Sequence, residues 1–182
     1  EFISSRHFPD DLRGGFMTCN SIGFLGTSIH RVWEDRGGFS GQHIGDLLTS
    51  NDPNFRPCDI EFAPDGSLYL LDWHNALVGH MQHSARDPKR DKQHGRIYRI
   101  THASRPLVEP ALISGASVAS LFQTLKEPEY RTRYRARREL RSHKRDIVTA
   151  AAAAWIATLD PADPRYDHHL CEALWATWAQ GR

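Results

Sequence analysis

The chain has 182 residues, 40% of them hydrophobic and 10% aromatic, with 23 Lys and Arg against 22 Asp and Glu for a formal net charge of +1. This composition excludes a disordered tail, a collagen-like repeat and a disulfide miniprotein, and the near-neutral charge removes any global electrostatic case for nucleic acid or an anionic membrane. No apolar run approaches the roughly 18 to 20 residues needed to cross a bilayer, so no membrane span is expected.

The sequence opens on Glu1-Phe2-Ile3 with neither Met nor a leader and reads as a piece of a longer protein. Short β-forming runs follow, punctuated by turn residues: Gly15 to Asn20, Thr27 to Trp33 and Gly45 to Leu48. The clearest unit is Cys58 to Phe62, the turn Ala63-Pro64-Asp65-Gly66, and Ser67 to Asp72. Pro presets φ and Gly accepts φ > 0, which predicts a hairpin. A further strand over Gly95 to Ile100 follows after an excursion of 22 residues, from His74 to Gly95. That is too long for a passive connection, and long excursions from rigid strands carry function. The strand sets recur at about 45 residues, the period of propeller blades. If Asp59 to Phe62 is the innermost strand of a blade, the excursion lies at the mouth of the channel.

After Pro110 glycine nearly vanishes, and Val118 to Lys126, Tyr130 to Arg141, Lys144 to Leu159 and Tyr166 to Ala179 carry helical patterning. Short helices joined by short turns suggest an α-solenoid, with Trp155, Trp175 and Trp178 as core residues. The composition changes over residues 103 to 116.

The excursion concentrates chemistry. It holds His74, His80, His83 and His94, four of the 11 histidines, beside Asp87, Asp91 and the basic Arg86, Lys89, Arg90 and Lys92. Neutral imidazole is the usual base for taking a proton from an alcohol, and Arg forks suit carboxylate ligands. Three other uses of the same residues stay open. Asp87 and Asp91 can hold Arg86, Arg90 and Arg96 in an ion-paired cap; His80 and His83 can converge with His94 on a cation; Asp87 or Asp91 can take calcium.

Residues 131 to 145 carry eight basic side chains and one acid. Arg131, Arg135 and Arg138 share one helical face, and Arg133, Arg137 and Arg141 share the neighbouring one, as in a helix paired with an acidic neighbour. No nucleic acid is expected. Cys19, Cys58 and Cys171 stand far apart with no C-x-x-C or C-x-x-C-H, so three semi-buried thiols are expected and no haem is attached within the chain. There is no phosphate-binding G-x-x-x-x-G-K and no G-x-S-x-G elbow.

The runs Asn51-Asp52-Pro53-Asn54-Phe55-Arg56-Pro57, Asp72-Trp73-His74-Asn75, Gly79-His80-Met81-Gln82-His83 and His94-Gly95-Arg96-Ile97-Tyr98-Arg99-Ile100 resemble a large dehydrogenase family common in planctomycetes and related bacteria. Its members are similar to quinoprotein glucose/sorbosone dehydrogenases, with HEAT-like repeats and often a c-type cytochrome domain following. The resemblance implies the last blades of an all-β, six-bladed propeller over residues 1–105, a linker over 106–116 and an all-α, HEAT-like segment over 117–182. It also implies export to the periplasm or the outside, oxidation of a sugar or other alcohol, pyrroloquinoline quinone (PQQ) with calcium, and a cytochrome as electron acceptor. Any haem would lie outside this chain, which alone should be inactive. In that reading His80 or His83 is the base near the substrate hydroxyl. Arg86, Arg90 and Arg96, with His74 and Asn75, hold the cofactor, and Asp87 and Asp91 face the metal. The competing reading is a non-catalytic module that binds a polysaccharide or a protein partner.

Overall fold

A computed structural model describes residues 1–79 and 85–181 and divides them into two compact units, Glu1–Val108 and Glu109–Arg182. The first unit is β. Strands β1 (Phe16–Asn20), β2 (Gly26–Asp35) and β3 (Gly38–Thr49) form one antiparallel sheet in the order β1-β2-β3. Strands β4 (Pro57–Phe62), β5 (Leu68–Asp72) and β6 (Arg96–Ile100) form a second in the order β4-β5-β6.

The β4–β5 hairpin forms around Pro64-Asp65-Gly66, where Gly66 takes φ +80°. A Cβ at Gly66 would stand 2.5 Å from Ser5 Oγ, whose hydroxyl donates to the Gly66 carbonyl at 2.8 Å. Glycine is therefore required there both by conformation and by space. Strand β5 alternates buried Leu68, Leu70 and Asp72 with more exposed Tyr69 and Leu71, the period-2 signature of a half-buried strand. Its inward residues join Ile3, Phe8, Met17, Ile29, Phe55, Ile60 and Phe62 in one apolar core, bridging the two sheets where β1 lies beside β4. Buried His7 ties the early loop to the segment after β6. Its Nδ1 lies 2.8 Å from the Pro106 carbonyl, and its Nε2 accepts the His102 N–H at 2.8 Å. These two contacts fix a neutral ring with its proton on Nδ1.

The second unit is α: α1 (Val118–Thr124), α2 (Tyr130–Leu140), α3 (Arg145–Ile156) and α4 (Tyr166–Trp178). Ser117 caps α1 by accepting the Ser120 N–H at 3.1 Å. Buried Thr132, Ala136 and Leu140 recur every four residues along α2, so small and branched side chains form its inner face. Leu121, Phe122, Leu125, Val148, Ala152 and Trp155 fill the centre.

This architecture corrects the expected one. The described residues form two small three-stranded antiparallel sheets and four helices, with no closed propeller among them. A 45-residue rhythm of strands and turns specifies consecutive hairpins. It does not specify how many strands hydrogen-bond into each sheet or whether sheets close into a ring. The expected HEAT-like repeats are corrected as well: the described residues carry four helices around one core, with α1 packed on α2 and α3 and α4 packed on α3 and α2. The thiols also differ from expectation, since Cys58 and Cys171 are exposed and only Cys19 is half-buried.

Candidate functional site

The segment between β5 and β6 is anchored at its base by one carboxylate. The Asp72 side chain is fully buried at the end of β5, and its Oδ1 accepts the backbone N–H of Arg56 at 2.7 Å and of His74 at 2.8 Å. Its Oδ2 accepts Arg96 Nε at 2.6 Å, and Arg96 Nη1 reaches on to Asp52 Oδ2 at 2.8 Å. The chain entering the excursion and the strand leaving it are thus fastened to the same acid. Desolvation alone would lower the Arg96 pKa, but the hydrogen bonds to Asp52 and Asp72 raise it above its ordinary value.

His74, directly after this anchor, sits in the left-handed region at φ +52°. A non-glycine residue there carries strain of about 1 kcal/mol or more, and such strain persists where surroundings dictate the conformation. Asp72 does so by accepting the His74 N–H. Asn75 is buried; its Nδ2 donates to the Asp91 carbonyl at 3.2 Å and its Oδ1 accepts the Leu77 N–H at 3.2 Å. Arg90 bridges back from the far side, donating to the Leu77 carbonyl at 3.2 Å and the Gly79 carbonyl at 3.1 Å.

These braces place Asp91 between two imidazoles. Asp91 Oδ2 lies 2.9 Å from His94 Nδ1 and 3.6 Å from His74 Nε2. Its Oδ1 accepts the backbone N–H of Gln93 at 2.9 Å and of His94 at 3.1 Å. The Gln93 N–H and the His94 ring, outweighing partial desolvation, hold the Asp91 carboxyl down at about 2. A carboxylate of this kind accepts a proton-bearing Nδ1 and leaves Nε2 of His94 with its lone pair outward, the arrangement in which one acid orients one base. His94 is 71% exposed, so that nitrogen is open to a ligand.

Because the Asp91 pKa is depressed, its contribution to stability is fully present above the unfolded value of about 3.8 and is lost as pH falls through about 2. A carbon-13 carboxylate titration by NMR is expected to find Asp91 still ionised at pH 3.

An open cleft of about 550 Å³ runs over this dyad, lined by Asn54, His74, Arg86, Asp87, Asp91 and His94, with Lys89, Arg90 and Lys92 at its basic rim. His74, Arg86, Asp87, Arg90 and Asp91 are therefore brought together, while Asn75 braces the site from below and Arg96 is spent on the anchor. His80 and His83 lie outside the described residues. His94 and the two acids Asp52 and Asp72 carry more of the arrangement than the sequence indicated. The signal for His94 was the D-x-x-H spacing from Asp91, which places a turn carboxylate against the ring three residues on.

Several of the side chains expected to hold a quinone and calcium are engaged within the chain. Arg90 donates to the Leu77 and Gly79 carbonyls, and Arg96 donates to Asp52 and Asp72. Asp87 and Asp91 accept from backbone N–H groups in their own turns, and no three His, Cys, Asp or Glu side chains among the described residues converge as a cation site.

A family model described as a domain of unknown function, DUF7133, matches residues 1–104, the span that contains both sheets and this cleft. No curated protein and no solved structure matches the chain.

Proposed function

The chain belongs to the DUF7133 family, and we propose that it forms part of an oxidoreductase that oxidises a sugar or other alcohol, with the Asp91–His94 pair taking the hydroxyl proton. The observation that carries this reading is the 2.9 Å contact of His94 Nδ1 with a carboxylate held ionised down to about pH 2, beside an open cleft. In this reading His94 Nε2 removes the proton from the substrate hydroxyl, and the imidazolium that forms is stabilised by Asp91. Asp91 is a positioning residue; it fixes the tautomer and stays ionised. The hydrogen on the carbinol carbon would leave as hydride to a two-electron acceptor of quinone class, which would pass the electrons on to a cytochrome, in a protein that is exported.

The test is dye-linked oxidation of a panel of sugars and alcohols by the intact protein. His94→Ala is expected to lower kcat by about 10²- to 10⁴-fold, the usual worth of a positioned base, with partial rescue by added imidazole. Asp91→Asn should lower kcat with little change in KM, and the acid limb of the pH profile should not belong to Asp91. A folded protein that reduces no dye, or an unchanged His94→Ala variant, overturns the assignment. A second reading, a non-catalytic module for a polysaccharide or protein, draws on the basic rim of the same cleft. In that case His94→Ala alters affinity and there is no turnover to lose.

A further inference from the structure

The helical unit holds a second concave site, independent of the cleft in the β unit. Tyr130, Tyr134, Arg137 and Arg141 follow one another at four-, three- and four-residue spacing along α2 and its C-terminal end, and they face Trp175 and Trp178 of α4 across a groove of about 640 Å³. Spacings of three and four keep side chains on one helical face, so the groove is a built stripe of rings and guanidinium groups. Trp175 and Trp178, expected in the core, are instead 44% and 69% exposed.

The chemistry of the ligand follows from which charges are already neutralised. Glu172 is buried and receives both Arg133 Nε, at 2.9 Å, and Arg137 Nη1. Arg137 is also stacked between Tyr130 and Trp175, 5.8 and 5.6 Å from the two ring centroids, so it serves as a wall of the groove. The Arg141 guanidinium at the groove's end meets no acid and makes no hydrogen bond among the described residues, its backbone N–H alone being engaged, at the Glu139 carbonyl. The groove therefore presents aromatic faces with a single uncompensated cation.

We propose that this groove binds a short acidic saccharide, with the sugar faces on Trp175 and Trp178 and a carboxylate on Arg141. Aromatic rings offer a negative face to the positively polarised C–H face of a pyranose, while the sugar's hydroxyls stay in water along an open groove. The volume lies within the ordinary range of small-ligand sites, and an Arg fork pairs a carboxylate with two parallel hydrogen bonds. A nucleic acid strand is disfavoured, because tracking a phosphate backbone takes several free cations and the groove offers one.

Isothermal titration of the 182-residue chain with trigalacturonate, with neutral cellotriose and with a thymidylate oligomer tests this. Trigalacturonate is expected to bind about tenfold or more tighter than cellotriose, the worth of one charge-assisted pair. Arg141→Gln should abolish that preference, and Trp178→Ala should weaken both sugars about fivefold or more, whereas Trp178→Tyr retains most of the affinity. Both side chains are exposed, and an unchanged circular dichroism spectrum confirms that the variants fold. Absence of saturable trigalacturonate binding by the folded chain, or binding untouched by both substitutions, overturns the proposal. So does tighter binding of the thymidylate oligomer with a steep loss in salt, which would assign the groove to nucleic acid.

Discussion

Asp72→Ala is expected to destabilise the β unit by about 3–5 kcal/mol, as when one partner of a buried ion pair is removed. The acid is small, but its three bonds hold three separate pieces of chain: the Arg56 and His74 backbones and the Arg96 guanidinium. Removing it strands two backbone donors and leaves Arg96 with Asp52 alone. Asp72→Asn keeps an acceptor for the backbone donors and loses the charge, so a smaller cost of about 1–3 kcal/mol is expected. Urea unfolding followed by circular dichroism measures both. If the two variants unfold together with the wild type, the anchor is not holding the excursion and the placement of the Asp91–His94 pair rests on something else.

Glu172→Ala is expected to have an equally large effect in the helical unit, again about 3–5 kcal/mol. The carboxylate is 1% exposed, and the two guanidinium groups on it are themselves only 13% and 14% exposed. Without it, two half-stacked cations from one face of α2 confront each other with nothing between them. The double variant Glu172→Leu with Arg137→Leu should recover part of the loss, because replacing a buried pair with apolar side chains costs far less than breaking it. Thermal unfolding with the three variants side by side distinguishes a loss of charge pairing from a loss of packing.

Local structure was legible where one residue dictates it. Pro64-Asp65-Gly66 marks the β4–β5 turn by backbone chemistry alone, and the periodic runs after Pro110 form helices within a few residues of where the pattern places them. Arg133 and Arg137 on one face similarly anticipated an acidic neighbour, which is Glu172, but on a solvated side of the helix, whereas all three side chains are buried or nearly so. Assembly was not legible. Strand count per sheet and closure depend on which edges find partners, which no local pattern of strands and turns records. In the site, the wealth of His, Asp and Arg between Trp73 and Arg96 was plain, but the pairing was not. Arg96 reads as a free cation in sequence, yet its partners Asp72 and Asp52 are 24 and 44 residues away along the chain. His94 was legible only in part: the three-residue spacing from Asp91 points to the carboxylate that meets its ring, but not to the second imidazole, His74, on the same acid.

The β2–β3 ribbon has a consequence for local opening. β1 pairs with β2 only over Gly26 to His30, while β2 continues to Asp35 against β3. The remaining five-residue ladder runs on the order of 15 Å past the last three-stranded row and carries Phe39 at 76% and Trp33 at 45% exposure. A two-stranded ladder without a third strand or a covering layer is marginal in water. Its tip can therefore unzip from the Arg36-Gly37 turn inward and re-form without disturbing Ile29, which sits in the core below. Amide hydrogens along this ribbon then exchange in a graded order, fastest at the turn and slowest at Ile29, and the gradient reports how far the arm frays while the remainder of the β unit stays folded.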